Sequence, residues 1–298
     1  MNSHVDCIAC IVNKIDNLAN TYFADKEKKY NFMKKALTEI INTEYYVSSP
    51  TISSKILRIL KSEVNIDDIY LKEKKYFNDL AMKMEKQLKE KLDLANDRFL
   101  DALKYAMAGN IIDFGALDSI KDNMLDEVIE STLKQEIDET LYCRFKEELE
   151  NGKELVYISD NTGEIVFDKI FIKEIREKYP NIKITLITRG QPVYNDATEE
   201  DAYYVGLDKY ARIVNNGTDI AGTDLLEINE ESKSYIDKAD IIISKGQGNF
   251  ETLSGCGKNI YYLFLCKCDM FTKKLKCEKF QGIFMNEEQY NELIETTV

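Results

Sequence analysis

With 298 residues, 44% of them hydrophobic, the chain is long enough for one large or two ordinary globular domains with a real core. Its formal net charge of −13 repels nucleic acid and anionic membrane, so an anionic substrate needs a local positive site. A single histidine, His4, and no tryptophan all but exclude a Ser-His-Asp hydrolase or a multi-histidine zinc centre, whose base or ligands would have to be that one terminal residue.

Residues 1–150 carry one proline, Pro50, few glycines, and long stretches of Lys, Glu, Leu, Ile, Met and Ala at helical spacing. Helices are expected near 5–22, 26–46, 52–64, 67–92, 95–108 and 117–149, the last of these broken once or twice. Ser48-Ser49-Pro50 and Gly109-Asn110 punctuate them. The stretch from Lys72 to Lys91 is dense in charge, but its signs alternate, which reads as a solvated helix face rather than a nucleic-acid element. After Asn151-Gly152 the period changes. Short apolar runs at 155–159, 184–188, 211–214, 241–244, 260–265 and 282–285 alternate with helical stretches, which predicts parallel strands with right-handed crossovers. The expected fold is therefore α/β: a helical part over 1–150 and a doubly wound, mostly parallel α/β/α sheet domain over 151–298. No flexible linker separates them, so the helical part is expected to pack on the sheet and cover its ligand-bearing edge.

The run Tyr157-Ile-Ser-Asp-Asn-Thr-Gly-Glu-Ile-Val-Phe-Asp168 organises the rest. A buried strand stops at Asp160 and Asn161, Gly163 lets the chain turn, and an amphipathic helix begins at Glu164. Open α/β sheets put their ligand sites at such carboxyl ends, and the free N–H groups of the helix can hold a phosphate. A carboxylate and an amide oxygen beside an anion site suit a hard divalent cation shared with that phosphate. The second strand ends in Arg189-Gly-Gln-Pro-Val-Tyr-Asn-Asp196, and the fourth in Lys245-Gly-Gln-Gly-Asn-Phe-Glu251, a glycine-flanked loop able to close backbone N–H groups around an oxyanion. Each piece has a plainer reading: an Asp-Asn turn or N-cap, Asp196 as the cap of the next helix, Lys245 as a strand-end lysine, Gly246 and Gly248 as turn glycines. Their convergence favours a phosphate and metal site.

These stretches, together with Ala108-Gly-Asn-Ile-Ile-Asp-Phe-Gly115, resemble the motifs of the domain of unknown function 89 family, the metal-dependent damage-control phosphatases. Cys7-x-x-Cys10 resembles its microbial branch. The resemblance implies a divalent metal held by Asp160, Asn161 and Asp196, and Lys245 on the substrate phosphate. Asp160, Asn161 and Lys245 are thus the expected catalytic residues. Lys245, Gly246, Gly248, Asn249, Arg189, Glu164, Asn110 and Asp113 are the expected phosphate or substrate contacts. Oxygen ligands favour Mg²⁺ or Mn²⁺, and the resemblance implies tolerance of Co²⁺ or Ni²⁺. The nucleophile stays open between a water and Asp160, and Asp168 reads as structural.

His4, Cys7 and Cys10 lie three apart on one helical face, open to a second metal or redox site completed by Cys256, Cys266, Cys268 or Cys277, or simply to burial on an apolar face. Seven scattered cysteines fit a reducing compartment better than a disulfide framework. With no apolar run near the roughly 20 residues of a membrane span and no signal-peptide pattern, the expected location is the cytoplasm. The expected activity is metal-dependent hydrolysis of a small phosphorylated metabolite, a sugar phosphate or phosphopantetheine-like compound, with no nucleic-acid or membrane partner and no oligomeric state legible. The alternatives are a non-enzymatic metal- or ligand-binding module, or a methyltransferase, against which stands the absence of a glycine-rich loop after the first strand.

Overall fold

In the computed structural model, which describes residues 4–112 and 124–295, seven helices precede the first strand: α1 (Val5–Tyr22), α2 (Lys26–Asn42), α3 (Ser49–Val64), α4 (Leu71–Asp93), α5 (Arg98–Gly109), α6 (Met124–Lys134) and α7 (Glu139–Asn151). Side-chain oxygens open several of them. Asp25 accepts from the N–H groups of Glu27 and Lys28, Asp97 from Leu100, and Asp138 from Leu141. Helix α3 starts at Ser49, earlier than its apolar pattern, because Pro50 in the first turn lacks only an N–H that would be unpaired there anyway. The one histidine also has a plain role, since His4 Nδ1 accepts the Asp6 N–H at 3.2 Å and caps α1.

The second half runs β1 (Glu154–Ile158), α8 (Glu164–Lys178), β2 (Lys183–Thr188), α9 (Glu199–Tyr204), β3 (Arg212–Asn215), α10 (Glu230–Lys238), β4 (Ile241–Lys245), α11 (Gly246–Leu253), β5 (Ile260–Leu265), α12 (Asp269–Leu275), β6 (Gly282–Asn286) and α13 (Glu287–Glu295). The sheet order is β3-β2-β1-β4-β5-β6, parallel except for β6, which joins β5 antiparallel at the edge. Since β1 lies between β2 and β4, the chain winds outward in both directions from it. That leaves a crevice at the carboxyl ends of β1 and β4. The strands read as unbroken apolar runs because both faces are covered. Leu155, Tyr157, Ile241, Ile243, Tyr261 and Leu263 share one core with α4, α5, α7 and α8, whereas Val156, Ile158, Ile242, Ile260 and Tyr262 face a second core with α10, α11 and α12. The larger core therefore continues from the helical half into the sheet across residue 150.

Helix α8 departs from the amphipathic expectation. Every residue from Glu164 to Ile172 is buried, because α4 and α5 pack over the face turned away from the sheet. Its charges are matched rather than solvated: Lys169 meets Glu85 and the Val205 carbonyl, and Glu174 meets Arg98. The charged stretch in α4 is likewise only partly a solvated face, as Lys74, Phe77, Asn78, Ala81 and Leu88 turn inward. A third core joins α1, α2 and α3 to Val193 and Tyr194 of the β2–α9 loop, which seats α1 and α3 beside the carboxyl edge of the sheet. Among the described residues no helix is long and apolar enough to cross a membrane.

Candidate active site

The exit of β1 is fixed to the exit of β2 by backbone pairing. The Asp160 carbonyl accepts the Ala197 N–H at 2.8 Å, Thr162 N–H donates to the Asn195 carbonyl at 2.8 Å, and Asn161 and Asp196 form an isolated antiparallel bridge. Asp160, Asn161 and Asp196, drawn from loops about 35 residues apart, are thereby neighbours for reasons that precede any ligand. Two glycines make the approach possible. Gly246 takes φ +78°, and a Cβ there would stand 1.9 Å from Asp160 Oδ2. Gly248 packs on the Ala221 carbonyl, 2.2 Å from where its Cβ would be. The stretch after β4 is thus the first turn of α11 rather than the loop its glycines suggest.

A carboxylate cluster lies at this junction. Asn110 Nδ2 bridges Asp160 Oδ2 at 3.1 Å and Glu164 Oε2 at 2.7 Å, and Asn161 Nδ2 repeats the bridge at 2.7 and 3.1 Å. The Asn110 side-chain oxygen accepts the Leu265 N–H at 3.2 Å, tying the end of α5 to the end of β5. Lys245 is wholly buried and donates to Glu164 Oε1 at 2.5 Å, Asp168 Oδ1 at 2.7 Å and the Ala106 carbonyl at 2.8 Å, which accounts for all three of its protons. Asp168 also accepts from Tyr157 OH at 2.7 Å. Arg189 Nε donates to Asp196 Oδ2 at 2.6 Å and Nη1 to Thr223 Oγ1 at 3.3 Å. Its Nη2 stands 3.6 Å from Asp160 Oδ1, with no hydrogen-bond partner among the described residues. Asn249 braces the same floor, donating to the Ser159 and Lys245 carbonyls and accepting from Thr223 Oγ1.

Burial acts on these acids first. It holds Asp160 well above the usual carboxylate range, reinforced by the charges of Glu164 and Asp196 and only partly relieved by Arg189 and Lys267. Asp168 is pushed up to about 6 by burial, with Lys245 and Tyr157 pulling the other way. Burial alone would lower the Lys245 ammonium, but Asp168 and Glu164 outweigh it and its pKa is raised.

Above the cluster opens a cleft of about 880 Å³, walled by α1, the start of α3, and the segment after β5. Of the sequence-derived site residues, Asn110, Asp160, Asn161, Asp196 and Gly248 line it, whereas Glu164, Arg189, Lys245, Gly246 and Asn249 form the layer beneath. Asp113 lies outside the described residues. Cys7 and Cys10 also line the cleft, half-buried and exposed respectively, so they are not on the apolar face of α1. Burial raises the Cys7 thiol, with Ser49, Glu251 and Cys268 as its neighbours. Among the described residues no three His, Cys, Asp or Glu side chains are grouped to hold a metal, so the second metal or redox site left open at Cys7 and Cys10 gains no ligand set there.

Sequence reasoning misses the four lysines that line the cleft, Lys14, Lys267, Lys273 and Lys279. Lys267 follows β5 by two residues, at the same carboxyl edge as Lys245, and Gln247 Oε1 accepts its backbone N–H at 2.8 Å. The strand-end rule that singles out Lys245 applies equally to it. Asn195, whose buried Nδ2 lacks a partner among the described residues, lines the cleft beside Asp196.

The sequence pattern of the Damage-control phosphatase ARMT1-like domain matches residues 3–282. The chain belongs to the damage-control phosphatase ARMT1-like family. It is 32% identical over 282 residues to a protein named Damage-control phosphatase from Pyrococcus horikoshii, covering 94% of this chain and 96% of that one. A second relative of that name, from Archaeoglobus fulgidus, is 30% identical over 271 residues, covering 88% and 91%. The crystal structure of a DUF89 family protein from Pyrococcus horikoshii superposes with a TM-score of 0.85 at 31% identity, covering 96% of this chain and 99% of that one. The α/β architecture expected from the alternation of strands and helices is the fold of this family neighbour.

Proposed function

We propose that this damage-control phosphatase family member is a metal-dependent phosphomonoester hydrolase acting on a small phosphorylated metabolite, with a divalent cation held by Asp160, Asn161 and Asp196. The observation that carries the reading is the pairing of two desolvated, mutually repelling carboxylates on adjoining strand exits at the floor of an open cleft. The donor set fits a hard cation: two carboxylates and one amide oxygen, with water and phosphate oxygens completing the shell, as is usual for Mg²⁺ and Mn²⁺. Co²⁺ and Ni²⁺ are further candidates from the family resemblance. The NH₂ of Asn161 faces Asp160 and Glu164, so ligation requires that amide to turn its oxygen toward the cation.

When bound, the cation would polarise the phosphoryl oxygens and position the nucleophile. The chain's own residues divide the remaining work. Lys267, on the cleft wall, is the cation we assign to the arriving phosphate, assisted by the α11 N-terminus at Gly248 and by the free amide of Asn195. Lys245, with every proton committed, holds Glu164 and Asp168, and through Glu164 the amides of Asn110 and Asn161. It acts as a positioning residue in this reading, not as the phosphate contact the resemblance implies. The Oδ2 of Asp160 is engaged by two amides, which favours a water over Asp160 as nucleophile. Placement in the microbial branch rests on the resemblance carried by Cys7-x-x-Cys10. The acidic exterior supports a small metabolite over a nucleic-acid or membrane partner, and a cytoplasmic setting agrees with seven free cysteines.

The test is p-nitrophenyl phosphate hydrolysis by chelator-treated protein with Mg²⁺, Mn²⁺, Co²⁺ and Ni²⁺ returned one at a time. Turnover restored by metal and lost in Asp160→Ala and Asp196→Ala is the expected result. Folded protein inactive with every metal would leave a binding module as the better reading.

A further inference from the structure

Asn78 stands on α4, outside the cleft, and is only 1% exposed. Its side chain is engaged in both directions. Oδ1 accepts the Gly163 N–H at 2.8 Å, and Nδ2 donates to Asp201 Oδ1 at 3.0 Å. Gly163 closes the loop that carries Asp160 and Asn161. It sits at φ +76° with no room for a side chain, since a Cβ would stand 2.7 Å from Ile112 Cγ2 and 3.0 Å from Phe77 Cβ. Asp201 closes the capping box of α9, its Oδ2 accepting from Thr198 N at 2.9 Å and Thr198 Oγ1 at 2.8 Å. That box begins two residues after Asp196. Lys74, one turn before Asn78, lies 3.2 Å from Asp201 and 3.3 Å from Asp68, and fixes the acceptor from the other side.

One amide thus joins the last residue of the Asp160–Asn161 loop to the first turn after Asp196. We propose that Asn78 is a positioning residue which sets the separation of Asp160 and Asn161 from Asp196, so that a side chain of the helical half determines the geometry of the cation site. An amide suits this task because it accepts from a backbone donor and donates to a carboxylate at once, and both partners are unable to turn away. Because α4 also packs along α8, the two loops are referenced to one rigid element.

The affinity part of the test rests on the assignment of the cation to Asp160, Asn161 and Asp196. The exchange part does not. In protein labelled with ¹⁵N-glycine, Asn78→Ala is expected to speed Gly163 amide exchange by roughly tenfold or more as its hydrogen bond is lost. Mn²⁺ affinity, read by electron paramagnetic resonance of the free ion, should fall roughly tenfold to a hundredfold, the usual effect of removing a group that orients ligands. Leu149→Ala, which destabilises a remote part of the core, should leave Mn²⁺ affinity within about threefold, separating positioning from general loss of stability.

Asn78→Asp keeps the acceptor for Gly163 but sets a carboxylate against Asp201, and should bind Mn²⁺ as poorly as the alanine variant. Exchanging donor and acceptor in Asn78→Asp/Asp201→Asn restores the pair, and affinity should recover to within about threefold of wild type. Unchanged Gly163 exchange in Asn78→Ala, or a double variant no better than Asn78→Asp, overturns the proposal. If Asn78→Ala does not fold, the comparison of single and double variants decides it. If wild-type protein binds no Mn²⁺, the metal assignment fails and the exchange data alone decide the role of Asn78.

Discussion

Replacing Lys245 with methionine keeps most of the side chain's length and removes its charge, which separates a buried organiser from a phosphate contact. The ammonium is 0% exposed and bonded to Glu164, Asp168 and the Ala106 carbonyl, so its loss strands two buried carboxylates. Removing one partner of a buried ion pair costs roughly 3–5 kcal/mol. Because either acid can take up a proton instead of staying charged, the lower end, about 3 kcal/mol near pH 8, is the expected deficit in unfolding free energy. The pH dependence has a definite sign. Asp168 already sits at about 6 against an ordinary 3.8, and an acid raised by folding contributes stability at low pH that is lost as pH rises through its folded pKa. Without Lys245 that shift grows. The deficit of Lys245→Met should therefore narrow as the pH is lowered from about 8 to about 5, measured by urea unfolding with metal removed. A deficit below about 1 kcal/mol at every pH would show that the ammonium is not committed to these acids, and would return Lys245 to the substrate phosphate.

Lys267→Ala should leave stability nearly intact and lower kcat/KM for phosphate esters roughly tenfold to a hundredfold, the worth of about 1.5–3 kcal/mol for a charged hydrogen bond. Unchanged kinetics would remove it from the substrate's path. Gly246→Ala forces a methyl into Asp160 at φ +78°, and should cost roughly 1–3 kcal/mol of backbone strain and at least about tenfold in Mn²⁺ affinity. Gly255→Ala, at φ +86° with nothing within 4 Å, carries similar strain and should leave metal binding untouched, so equal behaviour of the two variants would refute the steric argument. Glu251, on the cleft wall, is raised by burial from 4.5 to about 7, so the stability it contributes is full below about 4.5 and lost as pH rises through 7. Glu251→Gln should gain on wild type between about pH 5 and 8, by at most on the order of 3 kcal/mol, and a difference independent of pH would contradict the shift.

The strand ends are legible in the sequence because a single rule locates them: in a doubly wound sheet, the segments leaving the carboxyl ends of the strands converge. Asp160, Asn161, Asp196 and Gly248 meet at the cleft as that rule predicts. Lys267 obeys the same rule, yet Cys266-Lys267-Cys268 carries no glycine or carboxylate to mark it. Its value depends on β5 lying next to β4, a fact of sheet order. The depth of Lys245 is not legible either. Its burial comes from α5 and α8 closing over β4, contacts between segments far apart in the chain. Asn78 is hidden for the opposite reason, as one amide among the alternating charges of α4, where the apolar period of Phe77, Ala81, Leu88 and Leu92 marks the inward face but not the partners of a polar residue on it. For Cys7 and Cys10 the sequence speaks only of their own helix. The packing of α1 with α3 around Val193 and Tyr194 is what puts them at the cleft.

The charge balance beneath the cleft joins the site to the rest of the molecule. Asp160, Glu164, Asp168 and Asp196 are four buried acids, and among the described residues Lys245 and Arg189 are the buried cations in ion pairs with them, two fewer than the acids. A layer so desolvated does not tolerate that deficit as free charge, and the acids respond with raised pKa values where the imbalance is greatest, at Asp160. Lys245 offsets one charge of the inner pair, Glu164 and Asp168, and Arg189 one charge of the outer pair, Asp160 and Asp196, which faces the opening with Lys267 also near Asp160. A divalent cation at that opening would add positive charge beside the outer pair, on the side from which a phosphate arrives. Moving the Lys245 ammonium outward to meet the phosphate would instead expose the inner acids, so the arrangement favours a fixed Lys245 and agrees with the proposal that Lys267 meets the phosphate.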